Sequence, residues 1–308
     1  EGFVRDGHGD LHLRNICLIG GNPVPFDAIE FNPDFRRIDV FYDFAFLLMD
    51  LLHRGLAGHA NRALEAYAGA TGDLAGLETL PLFIAVRAVI RGHIAATQAK
   101  DGGERDPGWA EAGAYFALAE SALAPPPPLL LAIGGLSGTG KTTVARAIAP
   151  KLGAMPGALL LRSDVIRKRL AGVAPEQRLP ESCYTPEWTE RVYAELLRRA
   201  EAALRAGHAA IVDAVSGEAA HREALQAAAR RGGGGFLGVW LEAPLAVREA
   251  RVGGRTGDDS DAGVAIARRQ SAREVLDWHH VDAGGALVAT LSGLETALAA
   301  AGYPPRAA

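Results

Sequence analysis

The period of the hydrophobic positions changes partway along the chain. Over residues 40–52, VFYDFAFLLMDLL, apolar side chains fill most positions instead of one stripe. Such a segment predicts a helix buried on most sides. Residues 82–98 carry a second long helical pattern, with Arg87 and Arg91 four apart on one face, and residues 109–123 a third. From residue 129 onward the pattern becomes short continuous apolar runs at 129–133, 158–161, 209–212 and 236–241. Runs of that length between turn signals predict buried strands. Helical segments separate them: one opens directly after Lys141, and another starts at Thr185 with Pro186 in its first turn and stops at Gly207. Gly232 to Gly235 predicts a flexible turn, and Val281 with Ala286 to Val288 frames a final short strand.

Four consecutive prolines, Pro125 to Pro128, stop the preceding alanine-rich helix and favour an extended spacer. The expected organisation is a mostly helical domain over residues 1–124, a linker over 125–128 and an α/β domain over 129–308. Alternating strands and helices predict a parallel sheet with helices on both faces and ligands at the carboxyl ends of the strands. No internal repeat is present.

Composition narrows the function classes. The 308 residues are 49% hydrophobic, ample for buried cores, and their number suits about two domains. A net charge of -4 and a pI near 6.2 give no global footprint for nucleic acid or an anionic membrane. Cys17 and Cys183 are too few and too distant for a disulfide framework or a zinc site. No secretory signal opens the chain, and its longest apolar runs are too short or too interrupted to span a bilayer, so a soluble, cytoplasmic protein is expected. The chain begins at Glu1 with a motif close behind it, which suggests a fragment of something longer. His93, His279 and His280 lack carboxylates at metal-ligand spacing and are expected to be structural or surface residues.

The densest chemistry lies at Gly135-Leu136-Ser137-Gly138-Thr139-Gly140-Lys141-Thr142, followed by Thr143. It fits the phosphate-binding pattern G-x-x-x-x-G-K-[ST] between a strand and a helix. Glycines let backbone N–H groups converge on a polyphosphate, and the helix N-terminus adds partial positive charge. Lys141 would reach the β/γ-phosphates of ATP, and the Thr142 hydroxyl would hold Mg²⁺. Asp213 ends an apolar strand, where a carboxylate acts on Mg²⁺ or its water; a helix cap or turn residue is the alternative. Asp164 ends another strand and could orient or deprotonate an acceptor hydroxyl, with Arg167, Lys168 and Arg169 gripping anionic groups. The alternative there is an N-cap and a solvated basic face. Arg248, Arg251 and Arg255 lead into a polar segment, residues 256–262, with the composition of a lid; the alternative is a surface helix with ordinary charge pairs.

Residues 129–290 resemble the P-loop kinase group that includes zeta-toxin-like proteins and chloramphenicol phosphotransferase. The resemblance is carried by the P-loop, Arg162-Ser163-Asp164 with Arg167, Val212-Asp213-Ala214, and Arg251-x-x-x-Arg255 followed by Ser260-Asp261-Ala262. It implies that Asp164 activates the acceptor and that Arg251 and Arg255 are lid arginines.

The first half holds His8-Gly9-Asp10-x-x-x-x-Asn15 and, beyond a short hairpin, Phe26-Asp27-Ala28-Ile29-Glu30-Phe31. That spacing is the catalytic-loop pattern of protein-kinase-like phosphotransferases, in which Asp10 would orient the acceptor while Asn15 and Asp27 hold Mg²⁺. This half resembles the aminoglycoside phosphotransferase family, as a partial C-lobe. The two halves in this order resemble bifunctional aminoglycoside phosphotransferase/ATP-binding proteins. The glycine-rich strand and lysine of that family's amino-terminal lobe are absent from this sequence, so the first half is expected to be weak or inactive in this chain. The sequence as a whole predicts a kinase that moves the γ-phosphoryl of Mg-ATP to a small hydroxylated acceptor. A polynucleotide 5′-kinase and a non-catalytic nucleotide switch are the alternatives.

Overall fold

Five parallel strands follow the proline run, in the order β6-β7-β5-β8-β9. They are β5 (Leu129–Gly135), β6 (Leu159–Arg162), β7 (Ala210–Asp213), β8 (Gly235–Glu242) and β9 (His279–Asp282). The computed structural model describes residues 2–103, 106–174, 177–254 and 277–306. The chain divides into two compact units: Glu1–Pro126 with Ala154–Pro156, and Pro127–Gly153 with Gly157–Ala308.

The second unit is an α/β fold whose sheet is covered on both faces. Successive residues of a strand point to opposite sides. Leu129, Leu131 and Ile133 of β5 therefore share one face with Ile211, Leu237 and Val239, and that face packs on α5 (Lys141–Ile148) and α10 (Leu287–Ala300) through Val144, Ile148, Leu294 and Leu298. The other face meets α7 (Pro186–Arg205) and α8 (Ala219–Arg231). The helix α6 (Ser163–Leu170) follows β6, and α9 (Leu245–Gly253) follows β8. Thr185 caps α7, its hydroxyl accepting the Trp188 N–H, with Pro186 in the first turn.

Two local expectations need correction. Ala286 to Val288 are not strand: Ala286 is the N-cap of α10, and Leu287 and Val288 begin it. The strand expected over 158–161 lies one residue later, so Arg162 ends β6 and Asp164 sits in the first turn of α6. The expected lid, with Arg255, Ser260, Asp261 and Ala262, lies outside the described residues.

The first unit pairs β1 (Val4–Asp6) with β4 (Arg37–Asp39), and β2 (Ile16–Ile19) with β3 (Asn22–Pro25), both antiparallel. Its helices are α1 (Val40–His53), α2 (Ala57–Thr71), α3 (Leu80–Gly102) and α4 (Gly108–Leu123). The dense apolar segment becomes α1, capped by the Asp39 carboxylate on the Phe41 N–H, with Phe41, Leu48 and Met49 fully enclosed. Among the described residues, α3 is the one helix long and apolar enough to cross a membrane by length and composition, which the sequence reading did not flag. It packs against α1 and α4 with Ile84, Arg87 and Ala88 buried.

Candidate active site

The P-loop spans the turn from β5 into α5. Gly135, Gly138 and Gly140 take φ of +142°, +88° and +91°, the left-handed region where side chains are strained. A Cβ at Gly138 would lie 2.5 Å from the Arg248 carbonyl oxygen, and one at Gly135 would lie 2.8 Å from that of Leu241. The loop is thus pressed against α9 and β8 at positions only glycine can fill. Thr139 donates its hydroxyl to the Leu136 carbonyl at 2.9 Å, tightening the turn from within. Lys141 Nζ donates to the carbonyls of Gly135 (2.9 Å) and Leu136 (3.1 Å), folding its ammonium back over the loop. The helix α5 has no side-chain cap. Its first N–H groups have no intrahelical acceptor, which suits an anion.

Across from Lys141, Thr142 donates its hydroxyl to Asp213 Oδ2 at 2.5 Å. The sheet brings these residues together from 71 positions apart, because β5 and β7 are neighbours. Arg162 pairs in register with Asp213 on the adjoining strand, its Nε 3.7 Å from the same oxygen, both side chains buried. Asp164 is partly exposed at the start of α6, two residues after Arg162. The basic turn after it is not a solvated face: Arg167 and Lys168 are buried and only Arg169 is exposed. Arg167 donates to the Cys183 carbonyl (2.7 Å) and Thr189 Oγ1 (3.4 Å) and lies over the Tyr184 ring. It braces the segment before α7.

Beyond Asp213, Ser216 takes φ of +52° with its hydroxyl buried, and its N–H donates to the Tyr193 hydroxyl at 3.0 Å. Burial pushes the Tyr193 phenol up from its ordinary pKa. Arg222 holds the Ser216 and Gly217 carbonyls and meets both Asp277 oxygens at 2.9 and 3.0 Å. Hydrogen bonding from Arg222 is the chief reason the Asp277 carboxyl sits below its usual range.

A cavity of about 400 Å³ opens beside the P-loop, lined by Gly138, Gly140, Thr142, Arg251, Ala283 and Gly285 among others. Arg251 forms its wall, donating to the carbonyls of Thr139 (3.4 Å), Ala283 (2.7 Å) and Gly285 (3.0 Å). Arg251 therefore bridges the P-loop to the turn after β9. Ser137 and Thr143 flank the cradle at the loop and in the first turn of α5.

In the first unit, Asp10 and Asn15 meet as their spacing anticipates. Asn15 Nδ2 donates to the Asp10 carbonyl and to Asp10 Oδ2, both at 3.0 Å. His12 Nδ1 accepts the Arg14 N–H, which leaves the proton of the neutral ring on Nε2, 3.3 Å from Asp10 Oδ2. Asp27 takes φ of +60° and is exposed. Its backbone is led there by Phe26, whose N–H donates to Asn15 O and whose carbonyl faces His8 Nε2 at 2.8 Å. The Asp27 carboxylate makes no hydrogen bond or ion pair to another described residue.

Sequence reasoning did not assign the braces of this loop. Asp43 of α1 accepts the His8 and Gly9 N–H groups at 2.6 and 3.0 Å, and Asp50, two turns on, accepts that of Leu13. Arg87 of α3 donates to the Gly9 and Tyr42 carbonyls and stacks over the Tyr42 ring at 3.9 Å. Burial draws the Arg87 pKa down, opposed by Tyr42, Asp43 and Asp10. The signal was available: Asp43 and Asp50 are solitary carboxylates, seven apart, in an otherwise apolar helix. Among the described residues no cluster of three or more His, Cys, Asp or Glu could hold a metal ion by itself. His280 does meet a carboxylate, Glu242, at 2.9 Å.

Residues 130–277 match the family model of an AAA domain. Uncharacterized proteins of Mycobacterium tuberculosis and Mycobacterium bovis are 32% identical over 292 residues, covering 92% of this chain and 57% of theirs. The chain thus spans little more than half the length of these relatives. Among solved structures, a gluconokinase from Sinorhizobium meliloti 1021 is 22% identical with a TM-score of 0.40, covering 56% of this chain and 93% of its own. The Mycobacterium tuberculosis APS kinase, in complex with AMPPNP and APS, is 21% identical with a TM-score of 0.41, covering 57% and 99%.

Proposed function

We propose that the second unit is an ATP-dependent phosphotransferase that passes the γ-phosphoryl of Mg-ATP to a small hydroxylated acceptor. The observation that carries this reading is the Thr142 hydroxyl on Asp213 at 2.5 Å, beside an uncapped helix N-terminus and a glycine cradle closed by Lys141. These residues fit the group. A hydroxyl and a carboxylate are the hard oxygen donors that Mg²⁺ takes, and the uncapped N-terminus of α5 offers its first N–H groups to an anion.

Mg-ATP, when bound, supplies the phosphorus that an acceptor oxygen attacks as the bond to the β,γ-bridging oxygen breaks. The protein does the rest by placement and charge. Lys141 exchanges its loop carbonyls for phosphate oxygens. The N–H groups of Gly138, Gly140, Lys141 and Thr142 donate to the polyphosphate, and Ser137 and Thr143 border it. Thr142 and Asp213 hold the metal. Asp164, at the helix start beside this row of strand ends, orients the acceptor hydroxyl and takes its proton. Arg251, already anchored at the cavity wall, adds positive charge, and Arg255 shares that role in this reading. A cytoplasmic location, where ATP is available, belongs to the same proposal.

For the first unit the same reasoning supports a phosphotransferase catalytic loop of the aminoglycoside phosphotransferase type. Asp10, held by Asn15 and His12, would orient a hydroxyl, and Asn15 and Asp27 are its candidate metal ligands, in a half expected to be weak or inactive in this chain by itself.

The test is equilibrium binding of ATP with and without Mg²⁺. Wild type is expected to bind, and to bind more tightly with the metal. Lys141→Ala should weaken binding at least about tenfold, the scale of one charge-assisted contact. Thr142→Val should abolish the gain from Mg²⁺ while leaving metal-free binding in place. Equal binding by wild type and Lys141→Ala would sink the reading.

A further inference from the structure

Arg162 and Asp213 stand opposite each other at the carboxyl ends of neighbouring strands. Both side chains are more than nine-tenths buried, and Arg162 Nε lies 3.7 Å from Asp213 Oδ2. At that separation the contact is an ion pair but not a hydrogen bond. The same oxygen accepts the Thr142 hydroxyl at 2.5 Å. One carboxylate oxygen thus meets both the first turn of the P-loop helix and a buried cation. A buried carboxylate needs a compensating charge. Arg162 supplies it from a distance that leaves the close hydrogen-bonding position to Thr142.

This arrangement has opposite effects on the two partners of the proposed site. A divalent cation held by Thr142 and Asp213 would meet the positive charge that stands 3.7 Å from the same carboxylate oxygen, which weakens its hold. A polyphosphate is attracted by the same charge.

We propose that the Arg162 charge beside Asp213 limits how much the divalent cation adds to nucleotide binding. The proposal rests on the Mg-ATP reading above. Its readout is the ratio of the dissociation constants of the fluorescent probe mant-ATP measured with EDTA and with saturating Mg²⁺, on the full chain. Both constants come from one preparation, so a partial loss of folded protein cancels. Arg162→Met should weaken metal-free binding, strengthen the gain from Mg²⁺, and raise the ratio about tenfold, the scale of one nearby charge. Arg162→Lys keeps the charge and should hold the ratio within about twofold of wild type.

An unchanged or lowered ratio in Arg162→Met overturns the proposal, as does an equal shift in Arg162→Lys. If Arg162→Met does not fold, Arg162→Gln takes its place. If neither neutral variant folds, the lysine variant decides: a ratio near wild type supports the proposal and a shifted one overturns it. A wild-type protein that binds no mant-ATP, or gains nothing from Mg²⁺, removes the Mg-ATP reading itself and not only the role of Arg162.

Discussion

Gly138→Ala puts the P-loop packing to a quantitative test. At φ of +88° an alanine carries left-handed strain of about 1–2 kcal/mol. Its Cβ would also lie 2.5 Å from the Arg248 carbonyl oxygen and 2.8 Å from the Arg248 Cα, atoms of backbone that cannot rotate away. Overpacking of that kind costs about 1–3 kcal/mol, so the sum is roughly 2–5 kcal/mol. With a urea slope of about 2 kcal/mol/M for a unit of this size, the unfolding midpoint should fall by about 1–2.5 M. Tryptophan fluorescence reports mainly on the right unit, because three of the four tryptophans, Trp188, Trp240 and Trp278, lie in it, and Trp109→Phe in the first unit removes the fourth signal. Gly140→Ala is the internal control. Its φ is +91°, but the nearest atom to its Cβ is an Arg251 guanidinium nitrogen at 3.8 Å, so it carries strain without the clash and should cost about 1–2 kcal/mol. Equal midpoints for the two variants, or a Gly138→Ala midpoint within about 0.3 M of wild type, would refute the packing argument.

Two further outcomes follow from side chains outside the loop. The His53 imidazole stacks on Tyr115 at 3.7 Å, and its pKa is lowered chiefly by burial, against the pull of Glu111 and Asp50. A depressed pKa means that the unfolded chain binds the proton more readily, so this stability is present above about pH 6.5 and lost as pH falls through the folded value. His53→Phe should flatten the wild-type decline in first-unit stability below pH 6.5; identical pH profiles would contradict it. Arg222→Met should lower second-unit stability by about 1–3 kcal/mol, since it leaves the Ser216 and Gly217 carbonyls without their donor. Asp277→Asn keeps Arg222 on those carbonyls and, with Asp277 half exposed, should cost less than about 1 kcal/mol; equal losses measured by denaturation would count against this division.

The turn of the P-loop was legible because it is local. Gly135 to Thr142 shape one turn, and the turn's backbone conformation dictates its glycines. The parallel sheet was legible because apolar runs of strand length alternate with helices. The order of the strands was not, and with it went the contact that matters most. Thr142, Asp213 and Arg162 sit on three segments that meet only because β7 lies between β5 and β6. Arg167 and Lys168 were read as a substrate-facing basic turn because charge on a short helix ordinarily faces water. The segment before α7 folds over them and turns Arg167 to the Cys183 carbonyl. Ala286 to Val288 looked like a strand because apolar residues at a helix start carry no period until the rest of the helix is counted.

The most direct test of the account is phosphoryl transfer itself. Purified wild type, Lys141→Ala and Asp164→Ala would be incubated with Mg-ATP and pooled small metabolites, and the products searched by mass spectrometry for the gain of one phosphate. The account predicts a hydroxylated product that wild type makes and neither variant does, with Asp164→Ala still binding ATP at near wild-type strength. ATP bound tightly by wild type with no phosphorylated product from any pool, or full transfer by Asp164→Ala, would contradict it.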